Sequence, residues 1–160
     1  MIVEGVWNSQ YGDFELKYHD ALDFSKLPVE RIRNVVGVCF CGDMLLIAHN
    51  TKGYWGFVGG VVEKNEQYED TLKREVQEES NMKVVNFKPI GYQIAAMTDG
   101  DIYQLRYVCS VVPYGEFVRD PDLGIDKIKL IDPADVKQYF DWGKISDRIM
   151  EQALVVKETL

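Results

Sequence analysis

A chain of 160 residues, 46% hydrophobic and 28% charged, is long enough to bury a substantial core as a single domain over 1–160, and its composition excludes disorder and low complexity. A formal net charge of −8 repels a phosphate backbone, so stable nucleic-acid binding is not expected, whereas small phosphorylated ligands accompanied by cations remain open. No apolar run approaches the ~18 residues of a membrane span, and the N-terminus MIVEGVWNSQ lacks a basic and an apolar leader region, so a cytoplasmic protein with no membrane contact is expected.

In chain order, residues 1–31 read as an N-terminal extension. DFELKY (13–18) alternates like a short strand, and residues 21–30, with Pro28, read as a connection. IRNVVGVCFC (32–41) is β-branched and apolar enough for a buried strand, and it turns at Gly42-Asp43 into MLLIAH (44–49) as a hairpin. Cys39, Cys41 and Cys109 are an odd number without a leader, which implies free thiols. Cys39 and Cys41 share a strand face, and His19 and His49 form no ligand pattern with them, so buried packing outweighs a zinc site. The loop NTKGYWGF then leads to Gly59-Gly60. A helix is predicted from Glu66 to Ser80, with Tyr68, Leu72 and Val76 on its core face and Asn81 as the left-handed stop. Strands follow at 83–89 and 91–96. The turn TDGD (98–101), read as type I′, feeds the long strand IYQLRYVCSVV. A polar loop precedes a strand at 127–131. Asp132-Pro133 opens a short helix, and a final helix spans 144–156. Mixed strands around one central helix, with further helices late, point to a layered α/β/α domain.

The predicted helix carries the chemistry. Between Glu63 and Glu79 stand seven carboxylates, opposed only by Lys64, Lys73 and Arg74. At helical pitch Glu75, Glu78 and Glu79 project within an arc of about 100°. Each like-charged pair costs about 0.2–0.5 kcal/mol, and the negative end of the helix dipole disfavours the last two acids by a further ~0.3–1 kcal/mol each. A solvated acidic face is one account of such a cluster. The other is a divalent cation, which reverses the sign of every one of these interactions, and hard carboxylate oxygens suit Mg²⁺.

The spacing is more specific than the charge. Gly60, Glu66, Arg74-Glu75-Val76-Gln77-Glu78-Glu79 and Asn81-Met82 closely resemble the Nudix box, G-x5-E-x7-R-E-U-x-E-E-x-G-U, with U a bulky aliphatic residue. Asn81 replaces the last glycine, and both residues tolerate the left-handed conformation. Val58 stands where a proline often precedes the two glycines. The resemblance to the Nudix (MutT-like) family implies an α/β/α sandwich around a mixed sheet. It also implies hydrolysis of a nucleoside diphosphate linked to another moiety, with Mg²⁺ or Mn²⁺. Carried over by position, it makes Glu75, Glu78, Glu79 and the Gly60 carbonyl metal ligands. One of the three acids would also orient or deprotonate the attacking water. Arg74 would fix the carboxylates, and Glu66 would be its companion.

Some family members recruit a further acid from a distal loop. Asp126, Asp122 and Glu116 are the candidates here, each also readable as a solvated loop acid. Trp55, with Tyr54 and Phe57, is a candidate for a base pocket or for packing, as is Trp142. Arg106 would meet phosphate or pair with a surface acid. The partner expected is a small nucleotide, and the resemblance is compatible with a homodimer. Marks of known subgroups are absent: Met97 and Thr98 stand where an ADP-ribose-type proline and a dinucleoside-polyphosphate-type tyrosine would be. A nucleoside triphosphate or a nucleotide sugar remains. The alternatives are a GDP-mannose-type hydrolase, whose box is typically altered, and a nucleotide-sensing module, which usually loses box carboxylates.

Overall fold

The structure is a computed structural model that describes residues 1–10, 12–119 and 124–160. In chain order it contains β1 (Ile2–Ser9), β2 (Gly12–Asp20), a 3-10 turn (Val29–Arg31), β3 (Ile32–Cys41), β4 (Met44–Asn50), β5 (Trp55–Gly56) and β6 (Val58–Val61). Then come α1 (Tyr68–Ser80), β7 (Met82–Met97), β8 (Gly100–Pro113), β9 (Ile125–Ile131), a 3-10 helix (Pro133–Gln138) and α2 (Lys144–Lys157). One sheet runs β1-β2-β7-β8-β3-β4-β5, with β6 also paired to β3 and β9 to β4. It is mixed: β3 and β8 run parallel, whereas β7 and β8 form a long antiparallel ribbon.

Strand alternation assigns the two faces. Val35, Cys39, Leu105, Tyr107 and Cys109 point to one side and pack with Leu72 and Val76 of α1. Val38, Phe40 and Val108 point to the other and meet Ile145, Ile149 and Ala153 of α2. The helices therefore cover opposite faces, as the layered reading expects. Cys39 and Cys109 are buried free thiols, and Cys41 is partly buried and free, which agrees with packing. No helix among the described residues is long and apolar enough to cross a membrane.

Three local expectations need correction. The helix begins at Tyr68 rather than Glu66, because Asn65 takes a positive φ of 65° and Gln67 is extended as the N-cap. The segments 83–89 and 91–96 are one strand, β7. The break suggested by Pro89 is absorbed by an irregularity between Pro89 and Gly91. At Gly91 a side chain would run into the Tyr18 hydroxyl and the His19 carbonyl. The Thr98-Asp99 turn is not type I′, which needs positive φ at both central residues. The positive φ, 116°, falls on Gly100 just after them.

At the C-terminus of α1, Asn81 adopts φ 53°, ψ 37°, and its N–H bonds to the Gln77 carbonyl. Its side-chain amide donates to the Glu116 carbonyl at 2.8 Å. Asn81→Gly should therefore stay within about 0.5 kcal/mol of wild type. Asn81→Ala, which keeps a Cβ in the left-handed region but loses the amide, should cost about 1–2 kcal/mol. Urea unfolding midpoints at constant m-value test both.

Candidate active site

Arg74 gathers the acidic cluster. Its Nε donates to Glu66 Oε2 at 2.7 Å and its Nη2 to Glu66 Oε1 at 3.0 Å, a bidentate pair of the strong kind. Nη1 reaches Glu75 Oε1 at 2.8 Å and Glu78 Oε2 at 3.1 Å, and Nη2 also reaches the Val61 carbonyl at 3.0 Å. Glu66 can take part because it lies before the helix, where it also accepts from the Thr71 hydroxyl at 2.6 Å and the Glu63 N–H at 3.2 Å. The Arg74 bond is the main reason the Glu66 carboxyl is held down at about 2, against its burial. The same bond raises the guanidinium's pKa.

Glu79 is treated differently. Its Oε2 accepts from the Gly59 N–H at 3.2 Å, but no lysine or arginine among the described residues pairs with it. Burial pushes its pKa up to about 8, and the charges of Glu75 and Glu78 add to the rise. Burial also raises Glu75, opposed by Arg74. The two glycines of β6 make the approach possible. A Cβ at Gly60 would collide with the Glu75 carboxylate, and one at Gly59 with the backbone of Val35 and Val36.

The residues suit a hard divalent cation. Glu75, Glu78 and Glu79 are oxygen donors, and Glu79 is a partly buried acid with which no lysine or arginine among the described residues pairs. Among the described residues no group of three or more His, Cys, Asp or Glu side chains is already arranged to hold a metal. Arg74 draws Glu75 and Glu78 to itself in this arrangement.

Glu79 opens onto a cleft of ≈ 1410 Å³ that Trp55 and Arg106 also line. Its aromatic wall is braced edge to face: Phe57 meets Phe140 at 5.1 Å and Trp142 at 5.4 Å, and Trp55 meets Tyr139 at 5.5 Å. In the sheet, Arg106 is in register with Val36, and Val36 with Gly59. Two strand spacings, about 10 Å, therefore separate the backbones of Arg106 and the glycine that holds Glu79.

Of the three candidate distal acids, neither Asp126 nor Glu116 lines this cleft. Asp126 pairs with His49 Nδ1 at 2.7 Å, a bond that lowers the Asp126 pKa, and it does not line the cleft. Glu116 is exposed, and its backbone carbonyl, through Asn81, is its link to α1. Asp122 lies outside the described residues. Conversely, Trp7 and Phe14 of the β1–β2 hairpin, together with Tyr139 and Phe140, line the cleft without having been anticipated. The alternation in the N-terminal segment was a signal for a strand, but nothing local marks which surface the hairpin will cover.

A sequence model described as NUDIX domain matches residues 31–153. A search of curated protein sequences gives no match. Among solved structures, the chain is similar to a mutant form of the Bacillus subtilis pyrophosphohydrolase BsRppH, with TM-score 0.70 and 17% identity over 96% of each chain. It is also similar to the NUDIX domain of Shewanella oneidensis NrtR complexed with ADP ribose, with TM-score 0.62 and 18% identity over 83% of this chain and 92% of that one. A NUDIX hydrolase from Nitrosomonas europaea gives TM-score 0.61 and 16% identity over 79% and 90%. At these identities the likeness is one of fold.

The Glu66–Arg74 pair has a definite pH signature. The folded-state pKa of Glu66, about 2, lies below the usual 4.5, so its stabilisation is complete above the higher value and disappears as the pH falls to the lower. Glu66→Gln should destabilise the chain by about 2 kcal/mol at neutral pH. The gap should close between those two pH values when both proteins are unfolded in urea across the acid range.

Proposed function

This chain belongs to the NUDIX domain family, matched over residues 31–153, and from that premise we propose that it is a metal-dependent hydrolase. Its substrate would be a nucleoside diphosphate linked to another moiety, a nucleoside triphosphate or a nucleotide sugar, cut at a phosphoanhydride bond. The observation that carries this reading is Glu79, a partly buried carboxyl that accepts from the Gly59 N–H, faces the cleft and has no cationic partner among the described residues.

Glu75, Glu78, Glu79 and the Gly60 backbone would hold Mg²⁺ or Mn²⁺, which supplies neutralising charge at phosphate oxygens and a lowered pKa for water. The protein's own residues supply the arrangement. Arg74, locked by both oxygens of Glu66, fixes Glu75 and Glu78 on successive turns of a rigid helix. Glu79, steered by the Gly59 N–H, would orient a water or take its proton. The aromatic wall around Trp55 offers a π-face to a base. In this reading residues 1–160 act as one unit, with the N-terminal hairpin completing the cleft. BsRppH is named a pyrophosphohydrolase, and the NrtR domain binds ADP ribose. Both are compatible with a nucleotide here.

The test is hydrolysis of nucleoside triphosphates, nucleotide sugars, dinucleotides and dinucleoside polyphosphates with Mg²⁺, with Mn²⁺ and with chelator. One class should be cleaved at kcat/KM above ~10⁴ M⁻¹s⁻¹, and chelator should abolish the cleavage. Glu79→Gln should lower kcat by about 10²–10⁴ with the fold intact by circular dichroism. Near-native turnover in that variant would remove Glu79 from the chemistry.

A further inference from the structure

Arg106 has no role in the carboxylate cluster and an unusual environment. It stands on β8 with 4% of its surface exposed. Among the described residues its Nε has no hydrogen-bond partner, and Nη1 reaches the Leu105 carbonyl at 3.4 Å. Among the described residues no carboxylate pairs with it. Burial lowers its pKa only to about 10, so it is a cation at neutral pH. Leaving a buried charge unpaired costs several kcal/mol. In a chain with 26 Asp and Glu, acids are not scarce.

Arg106 lines two cavities. One is the cleft already described. The other, of ≈ 740 Å³, is lined by Arg106 together with Gly143, Lys144 and Ile145 at the start of α2. That helix is 14 residues long with Gly143 as N-cap and no side-chain cap; the acid of its first turn, Asp147, is paired with Lys137 at 2.9 Å, so no capping side-chain oxygen occupies the first-turn N–H groups. Gln93 and Gln104, joined by a 2.8 Å bond, add amide groups to the same lining. Of the acids there, Asp141 already accepts from the Gly143 N–H at 2.8 Å, and Glu4 is exposed.

We propose that this second cavity is a phosphate pocket. A phosphate remote from the bond that is cleaved is held between Arg106 and the N-terminus of α2, with Lys144 at its mouth. The preferred substrate is then a nucleotide that ends in phosphate rather than in a neutral sugar. The substrate assignment rests on the hydrolase reading above; the phosphate pocket itself does not. A planar guanidinium fork and a row of backbone donors match the oxygens of a phosphate, and the ligand supplies the counter-charge that the protein withholds.

The experiment separates the two. The full chain, in chelator, is titrated with inorganic phosphate and inorganic tripolyphosphate by calorimetry and by melting temperature. Wild type should bind. Arg106→Met should weaken binding about tenfold or more and Lys144→Glu about two- to fivefold, while ligand-free Arg106→Met melts no lower than wild type because the unpaired charge is gone. If Arg106→Met does not fold, Lys144→Glu decides. Wild-type affinity in the variants, or no binding of either anion by wild type, overturns the pocket. With metal present, Lys144→Glu should raise KM for a nucleoside triphosphate more than for a nucleotide sugar. Equal effects would overturn the substrate assignment and leave the pocket to free phosphate. Anion binding without metal-dependent hydrolysis would defeat the hydrolase reading alone.

Discussion

The candidate site depends on one guanidinium. Arg74 bonds to three carboxylates and a backbone carbonyl, and without it the end of α1 would be a set of mutually repelling acids at the negative pole of a helix. The pair with Glu66 also ties the helix to the segment before it, since Glu66 lies outside α1 yet bonds to Thr71 and Arg74. The charge arrangement and the local backbone path are therefore set by the same contact. Glu79 is the acid this network does not serve: it accepts from the Gly59 N–H instead, and burial lifts its pKa to about 8.

A second constraint is steric. Strand β6 is fitted on both sides by its glycines: a side chain at Gly60 would meet the Glu75 carboxylate of α1, and one at Gly59 the backbone of β3 at Val35 and Val36. The glycine pair and the helix acids are thus parts of one fit. The contact brings a strand's backbone to the carboxylates, and it connects them through the β3 register to the row in which Arg106 stands. The row therefore runs from the glycine beside Glu79, through Val36, to Arg106, and both Glu79 and Arg106 line the cleft with its aromatic residues.

Much of this was legible in the chain itself. The box positions, the core face carrying Leu72 and Val76, the left-handed Asn81 and the β3–β4 hairpin are all where their local chemistry indicates. Each depends on interactions within a few residues: helical periodicity, turn preference, or the conformational tolerance of Asn and Gly. The errors were also local. Pro89 suggested two strands, but pairing with β8 along nearly the whole ribbon overrides it. The Asp-Gly pair suggested a type I′ turn, but the register places Gly100 after the turn rather than within it.

The sequence by itself determined which residues carry charge in the box pattern, and the family to which that pattern belongs, because both are properties of spacing along one short stretch of chain. Only the tertiary structure decided that Asp126 is engaged with His49 and does not line the cleft, that the N-terminal hairpin supplies a cleft wall, and that Arg106 is buried with no carboxylate paired to it among the described residues. These depend on which distant strands become neighbours. Burial and pairing arise from that neighbourhood, and residues alike in the chain acquire different chemistry from it.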